Sequence, residues 1–381
     1  DNYMNRRELL KTLGLSSIAI ISEPLAKGNL IYSKDNETKL KNWTWIGSDT
    51  ETSDDEWKKN FAGMKEAGID AILPEIFNSH FAYYASKHLP VKDQWLERIL
   101  PIAKSEGLEV HAWMWTMICN IEEIYTKHPE WYMVNRNGDS CVYKPAYVES
   151  YRFLCPSRSE PLEFIAKRVN ELSQYDQLDG VHMDFIRYPD VILAKSLQPK
   201  YGIIQDNEYP EYDYCYCDVC RKTFKEKTGL DPMELKDPAA NVDWRQYRYD
   251  TISNFVNNKL IPIAREYKKE ITAAVFPPYN WIHVRQQWPN WNLDAVLPML
   301  YHNFYYQGIE WIKEQTEKGV YSIRKDEPLY SGIMVSQFSP AGLTKAVEAA
   351  LSGGARGVVL FEYHSMTDKL WKSFKEVISR Y

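Results

Sequence analysis

From residue 40 onward one local arrangement recurs: an amphipathic helical stretch, a glycine, then a short run of β-branched and aromatic residues. SDDEWKKNFAGMKEAGIDAILPE shows it first. Ser53 and Glu56 form a capping box, Trp57, Phe61 and Met64 share one helical stripe, and Gly68 closes the helix before residues 70–75 enter a strand. IAKSEGLEVHAWMW repeats the pattern at Gly107, and LSGGARGVVLFEYH repeats it near the C-terminus. Eight such runs are predicted strands: 42–47, 70–76, 108–116, 180–187, 270–277, 293–301, 328–335 and 357–363. Helical segments separate nearly all of them. Parallel neighbours need a crossover long enough to hold a helix, so this alternation dictates a parallel sheet, and eight units suggest a closed (β/α)8 TIM barrel. The structural rival is an open doubly wound sheet. It usually carries a glycine-rich phosphate loop after its first strand, and none is present here. No low-complexity linker divides residues 40–381, which read as one barrel with 190–240 as a cysteine-bearing insertion after strand four.

In such a barrel chemistry sits at the C-terminal ends of the strands. The residues placed there are Trp45, Asp49, Glu75, Asn78, Trp113, Trp115, Asp184, Arg187, Phe276, Tyr301, His302, Glu362 and His364. In DGVHMDFIRYPD, residues 179–190, alternation puts Val181 and Met183 on one face and His182 and Asp184 on the other. A buried unpaired carboxylate is costly, so Asp184 must be paired or put to use. Asp179, at the other end of the strand, reads as a structural cap. The chain has 13 Trp and 27 Tyr, a composition suited to a carbohydrate-binding cleft. Its net charge of −6 and lack of a long basic run argue against nucleic acid or anionic membrane as partner.

LDGVHMDFIRYP resembles the fourth-strand signature of the glycoside-hydrolase-like family 10 proteins, and FLCPSRSEPLEFIAKRVNEL and LDAVLPMLY are similar to two further segments of that family. The resemblance covers roughly residues 40–365 and implies a (β/α)8 barrel acting on glycans. It does not carry the acid/base assignment, because Glu362 and His364 in LFEYH have no fixed counterpart across the family.

Glycoside hydrolysis commonly takes two carboxyl groups, a nucleophile or base and a proton donor of raised pKa. Asp184 is the first, and it resembles the nucleophile position of α-glycosidase barrels whose fourth strand ends in D-G-x-x-x-D. Arg187 nearby could hold it ionised, or pair with it to close the strand end. The second carboxyl is Glu362 or Glu75, with Asp49 a weaker choice. Trp45, Trp113, Trp115, Tyr301 and Tyr363 offer flat faces to pyranose rings, and His302 and His364 offer hydrogen bonds to sugar hydroxyls. His182 is either a satisfied core histidine or a substrate contact. No catalytic cofactor is expected. The alternatives are a polysaccharide lyase, with His and Tyr moving protons, and a glycan-binding barrel without catalysis.

YDYCYCDVCRKTF places Cys215, Cys217 and Cys220 in C-x-C-x-x-C spacing. Three sulfurs so close together suit tetrahedral zinc better than a disulfide, which would be strained between residues two apart. The stretch resembles the zinc loop of glycoside hydrolase family 42 β-galactosidases, where an upstream cysteine completes the site. That implies Cys155 as fourth ligand, with Cys141 as second choice, and a structural zinc. Reduced cysteines or a disulfide with Cys155 are the alternative. Residues 1–28, with paired Arg6 and Arg7 before a short apolar run, resemble a twin-arginine export signal and imply a periplasmic or secreted protein. The run is too short for a permanent membrane span.

Overall fold

All eight runs are strands in the computed structural model, which describes residues 40–381: β1 (Trp43–Ile46), β2 (Ala71–Phe77), β3 (Glu109–Trp115), β4 (Gly180–Asp184), β5 (Glu270–Val275), β6 (Ala295–Pro298), β7 (Ser331–Met334) and β8 (Val358–Phe361). Every ladder is parallel, and β1 pairs with both β2 and β8. β6 and β7 meet through the bridges Val296–Leu329 and Met299–Gly332, which close the ring. The fold is a (β/α)8 TIM barrel. The export-signal segment lies outside the described residues.

Local chemistry explains the elements. Ser53 accepts a hydrogen bond from the Glu56 backbone and starts helix Asp54–Glu66, whose Trp57, Phe61 and Met64 are buried. Gly68, at φ +97°, supplies the left-handed turn into β2. Among the described residues the alternation fails once: β5 and β6 are joined by single 3-10 turns instead of an α-helix.

Inside the ring, alternate residues of the strands build a core separate from the helix layer: Trp43, Trp45, Ala71, Leu73, Trp113, Ala274, Ala295, Leu297, Tyr330 and Val359. Two glycines make room for large neighbours. A Cβ on Gly180 would lie 2.3 Å from His111 Nδ1, and one on Gly332 would lie 3.3 Å from the Trp45 ring. The chain after β4 is tied to the barrel by a buried ion network in which Arg248 and Arg285 both meet Asp213, and Arg285 also meets Glu208 at 2.5 Å. Among the described residues no helix is long and apolar enough to cross a membrane.

Candidate active site

At the C-terminal mouth of the barrel lies a cavity of about 350 Å3. Strand parity decides which side chains enter it. β4 places His182 and Asp184 inward, β3 places Trp113 and Trp115 inward, and β2 places Glu75 inward. β4 ends at Asp184 because Phe185 turns to φ +51°, and the Phe185 N–H then donates to Asp184 Oδ1 at 2.7 Å.

β3 lies between the strands that carry the two carboxylates, and its indoles reach both. Trp113 Nε1 donates to Asp184 Oδ2 at 3.2 Å, and Trp115 Nε1 donates to Glu75 Oε1 at 2.9 Å. These tryptophans orient carboxylates as well as lining the wall. Burial pushes the Asp184 carboxyl up to about 6, against the opposing pull of the Phe185 N–H, the Arg187 charge and Trp113. Burial also raises Glu75, and the charge of Asp184 adds to the rise while Trp115 opposes it. Two carboxyls sharing one low-dielectric cavity resist simultaneous ionisation, so one holds a proton into the range where the other is charged.

Arg187 faces the cavity but does not close on Asp184. Its guanidinium pairs with Asp190 at 2.9 Å and lies against the rings of Phe185 and Phe276. Tyr301 lines the cavity with a buried hydroxyl that has no hydrogen-bond partner, and burial and then the charge of Asp184 raise its pKa well above the usual phenol value.

Four expected contacts lie elsewhere. Trp45 is 1% exposed below the cavity, where its indole donates to His182 Nε2 at 3.1 Å. His182 bonds Thr272 through its other nitrogen at 2.9 Å, and burial lowers its pKa well below the ordinary value, so it is a neutral core histidine. His302 stacks on Phe338 and does not line the cavity, and Tyr363 packs against Trp57 and Trp371. His364 sits at the rim, its Nδ1 2.9 Å from Glu362 and its Nε2 3.4 Å from Asp49. Glu362 is also outside the cavity, because Phe361 takes the inward position at the end of β8. Burial would raise the Glu362 carboxyl, but the His364 and Ser365 donors hold it below the usual range, the reverse of what a proton donor needs. Sequence reasoning passed over the cavity wall formed by Tyr151, Leu193, Ala194, Leu197, Phe304 and Tyr305. These come from loops that carry no motif.

Away from the cavity, the sulfurs of Cys155, Cys215, Cys217 and Cys220 are buried and lie within 4.8 Å of one another. Cys155 is 3.5 Å from Cys217, 3.6 Å from Cys220 and 3.9 Å from Cys215. A tetrahedral zinc with Zn–S bonds of about 2.3 Å requires S–S edges of about 3.8 Å. The donor set therefore fits zinc, and Val134 N–H points at Cys215 Sγ. Cys141 is elsewhere, donating to the Phe153 carbonyl. A second group at the opposite end of the barrel, Glu109, His111 and Glu270, already has the ammonium of Lys41 paired with Glu109 and 4.0 Å from Glu270.

Residues 58–185 match the family model described as Hypothetical glycosyl hydrolase 6, a stretch that holds Glu75, both indoles and Asp184 but not Glu362. This is a different family from the glycoside-hydrolase-like family 10 whose fourth-strand motif the sequence resembles, and the two agree on a glycosyl-hydrolase type of barrel. No curated protein matches the chain. Solved structures share its fold at low identity. A β-galactosidase from the psychrophilic Marinomonas ef1 is 13% identical at TM-score 0.65, over 89% of this chain and 59% of its own. The catalytic domain of β-amylase from Paenibacillus polymyxa is 12% identical at TM-score 0.62, over 90% of this chain and 99% of its own. A GH42 β-galactosidase from G. stearothermophilus is 14% identical at TM-score 0.61, over 90% and 56%. The chain thus spans somewhat under two thirds of the length of the β-galactosidases it resembles.

Proposed function

We propose that this barrel is a glycoside hydrolase in which Asp184 is the nucleophile or base and Glu75, not Glu362, is the proton donor. The observation that carries this reading is the pair of inward carboxyls in one aromatic cavity, both raised by burial and each held by an indole from the strand between them. Asp184 is the better anion, because a backbone N–H, an indole N–H and a guanidinium charge all favour its ionised form. Glu75 is then kept protonated by burial and by that neighbouring charge. In the reaction the glycosidic C–O bond breaks, the Glu75 proton goes to the departing oxygen, and water supplies the hydroxyl at the anomeric carbon. Asp184 assists either by bonding to that carbon first or by taking a proton from the water.

The lyase alternative needs a basic Tyr or His beside the sugar. Tyr301 is held protonated and His182 is sealed in the core, so neither suits that role. A purely binding barrel would have no use for two tethered carboxyls of raised pKa. The four cysteines are proposed to hold a structural zinc, in keeping with their spacing. Its role would be to fasten the segment after β4, which supplies part of the cavity wall. The paired arginines near the N-terminus support export.

Turnover of aryl glycosides by the wild type, Asp184→Asn and Glu75→Gln tests the assignment. Both variants should remain folded; Asp184→Asn should lose about a hundredfold or more in kcat on every aryl glycoside, and Glu75→Gln should lose as much on phenyl glycosides, whose basic leaving group needs a proton. Wild-type rates in Asp184→Asn would reject it.

A further inference from the structure

The cavity is poor in the groups that usually bind sugar hydroxyls. Among the described residues its lining contains no Asn, Gln, His, Lys, Ser or Thr. Arg187, the one cation among the described residues of the lining, is committed to Asp190 and to the Tyr188 carbonyl. Apart from Asp190, paired with Arg187, the polar side chains lining the cavity are Glu75 and Asp184 at the strand ends and the phenols of Tyr151, Tyr301 and Tyr305, of which Tyr151 accepts from Arg187. Leu193, Ala194, Leu197 and Phe304, from the segments after β4 and β6, add aliphatic and aromatic surface to the lining.

A fully hydroxylated hexose bound here would face a mismatch. Its anomeric carbon must lie at the carboxylates, so C4 and C6 lie farther from them, against a lining made mostly of aliphatic and aromatic side chains. A hydroxyl buried there without a partner costs about 1–3 kcal/mol, whereas a methyl group in its place gains by burial. The volume is small enough to hold little more than one ring and its leaving group. We infer that the glycosyl unit taken by this site is a 6-deoxyhexose, with a methyl group where ordinary hexoses carry a hydroxymethyl. This rests on the glycosidase reading and names its substrate class. The preference is bounded, because an apolar pocket rejects one added hydroxyl by only about ten- to a hundredfold.

The test compares kcat/KM on pairs of nitrophenyl glycosides that differ only at C6: fucosides against the matching galactosides, and rhamnosides against the matching mannosides, in both anomers and with the same absolute configuration within each pair. At least one deoxy member should exceed its partner by about ten- to a hundredfold. Hydrolysis of the hydroxylated member at an equal or higher rate in every pair would overturn the inference and leave the glycosidase reading standing. If no member of any pair is cleaved, the glycosidase reading fails. The inference is then decided by quenching of tryptophan fluorescence with the methyl glycosides: tighter binding of a deoxy sugar supports it, and equal binding overturns it. Leu197→Gln, at a half-buried loop position, should reduce the deoxy preference, and an unchanged ratio would remove that residue from the argument.

Discussion

Replacing Asp184 by Asn should alter how stability depends on pH, and the size of the change follows from the site. In the folded protein burial pushes the carboxyl up to about 6, against an ordinary value of 3.8. The folded state therefore keeps a proton that the unfolded chain releases first. This contribution is fully present below about pH 4 and is lost as pH rises through about 6. The difference, 6 − 3.8, is about 2.2 pH units, or about 3 kcal/mol at 1.36 kcal/mol per unit. Asn cannot ionise, so the variant escapes this loss. It also places an amide NH2 against one of the two donors, Phe185 N–H or Trp113 Nε1, which adds a penalty independent of pH. The decisive quantity is accordingly the change in the stability difference between about pH 4 and pH 7. At about 2.1 cal/mol/K per residue over 381 residues, 3 kcal/mol corresponds to about 4 °C in Tm. Calorimetric melting of both proteins across that range should show the variant gaining about this much on the wild type as pH rises. A difference that stays flat would mean an ordinary carboxyl, and the buried-anion argument would fail with it.

Trp115→Phe keeps the ring but removes the donor that favours ionised Glu75, so the Glu75 pKa should rise and the alkaline limb of kcat/KM should move up by about one pH unit; an unmoved limb would refute the tether. Metal analysis of protein purified without chelator should find one zinc per chain, and Cys217→Ser should lose it and melt several degrees lower. Glu362→Gln should keep kcat/KM within about threefold, since its carboxyl serves His364 and the short turn that follows β8; a hundredfold loss would return it to the catalytic pair. Gly180→Ala forces a Cβ against His111 and the Glu270 carbonyl, so urea unfolding should show a loss of about 1–3 kcal/mol or more.

The strands were legible because each is a short apolar run, and three of them follow a helix-ending glycine, as at Gly68 and Gly107, a signal contained within about twenty residues. Asp184 could be found because it ends a strand whose alternation is clear, and the cysteines because three are close in sequence. The choice between Glu75 and Glu362 was not legible. It depends on which residue of β8 is the last to face inward, and Phe361 holds that place. The hydrogen bonds from Trp45 to His182 and from Trp113 to Asp184 were hidden for a related reason. Each joins side chains from different strands, and which of them meet is set by sheet register and not by local pattern. Arg187 looked like the partner of Asp184 from three residues away, but the chain turns at Phe185 and delivers the guanidinium to Asp190. The cavity wall at Leu193 and Leu197 comes from the segment after β4, which the ion network and the cysteine cluster hold farther along the chain, and Phe304 comes from the turn after β6, where its carbonyl accepts from Ser196 N–H; such contacts have no local signature.

The dependence of kcat/KM on leaving-group acidity in Glu75→Gln addresses the catalytic pair most directly. Without a proton donor, hydrolysis should fall steeply as the leaving group becomes more basic and should stay near the wild-type rate for dinitrophenyl glycosides, which depart unprotonated. Parallel lines for variant and wild type, with the same loss at every leaving group, would show that Glu75 is not the acid.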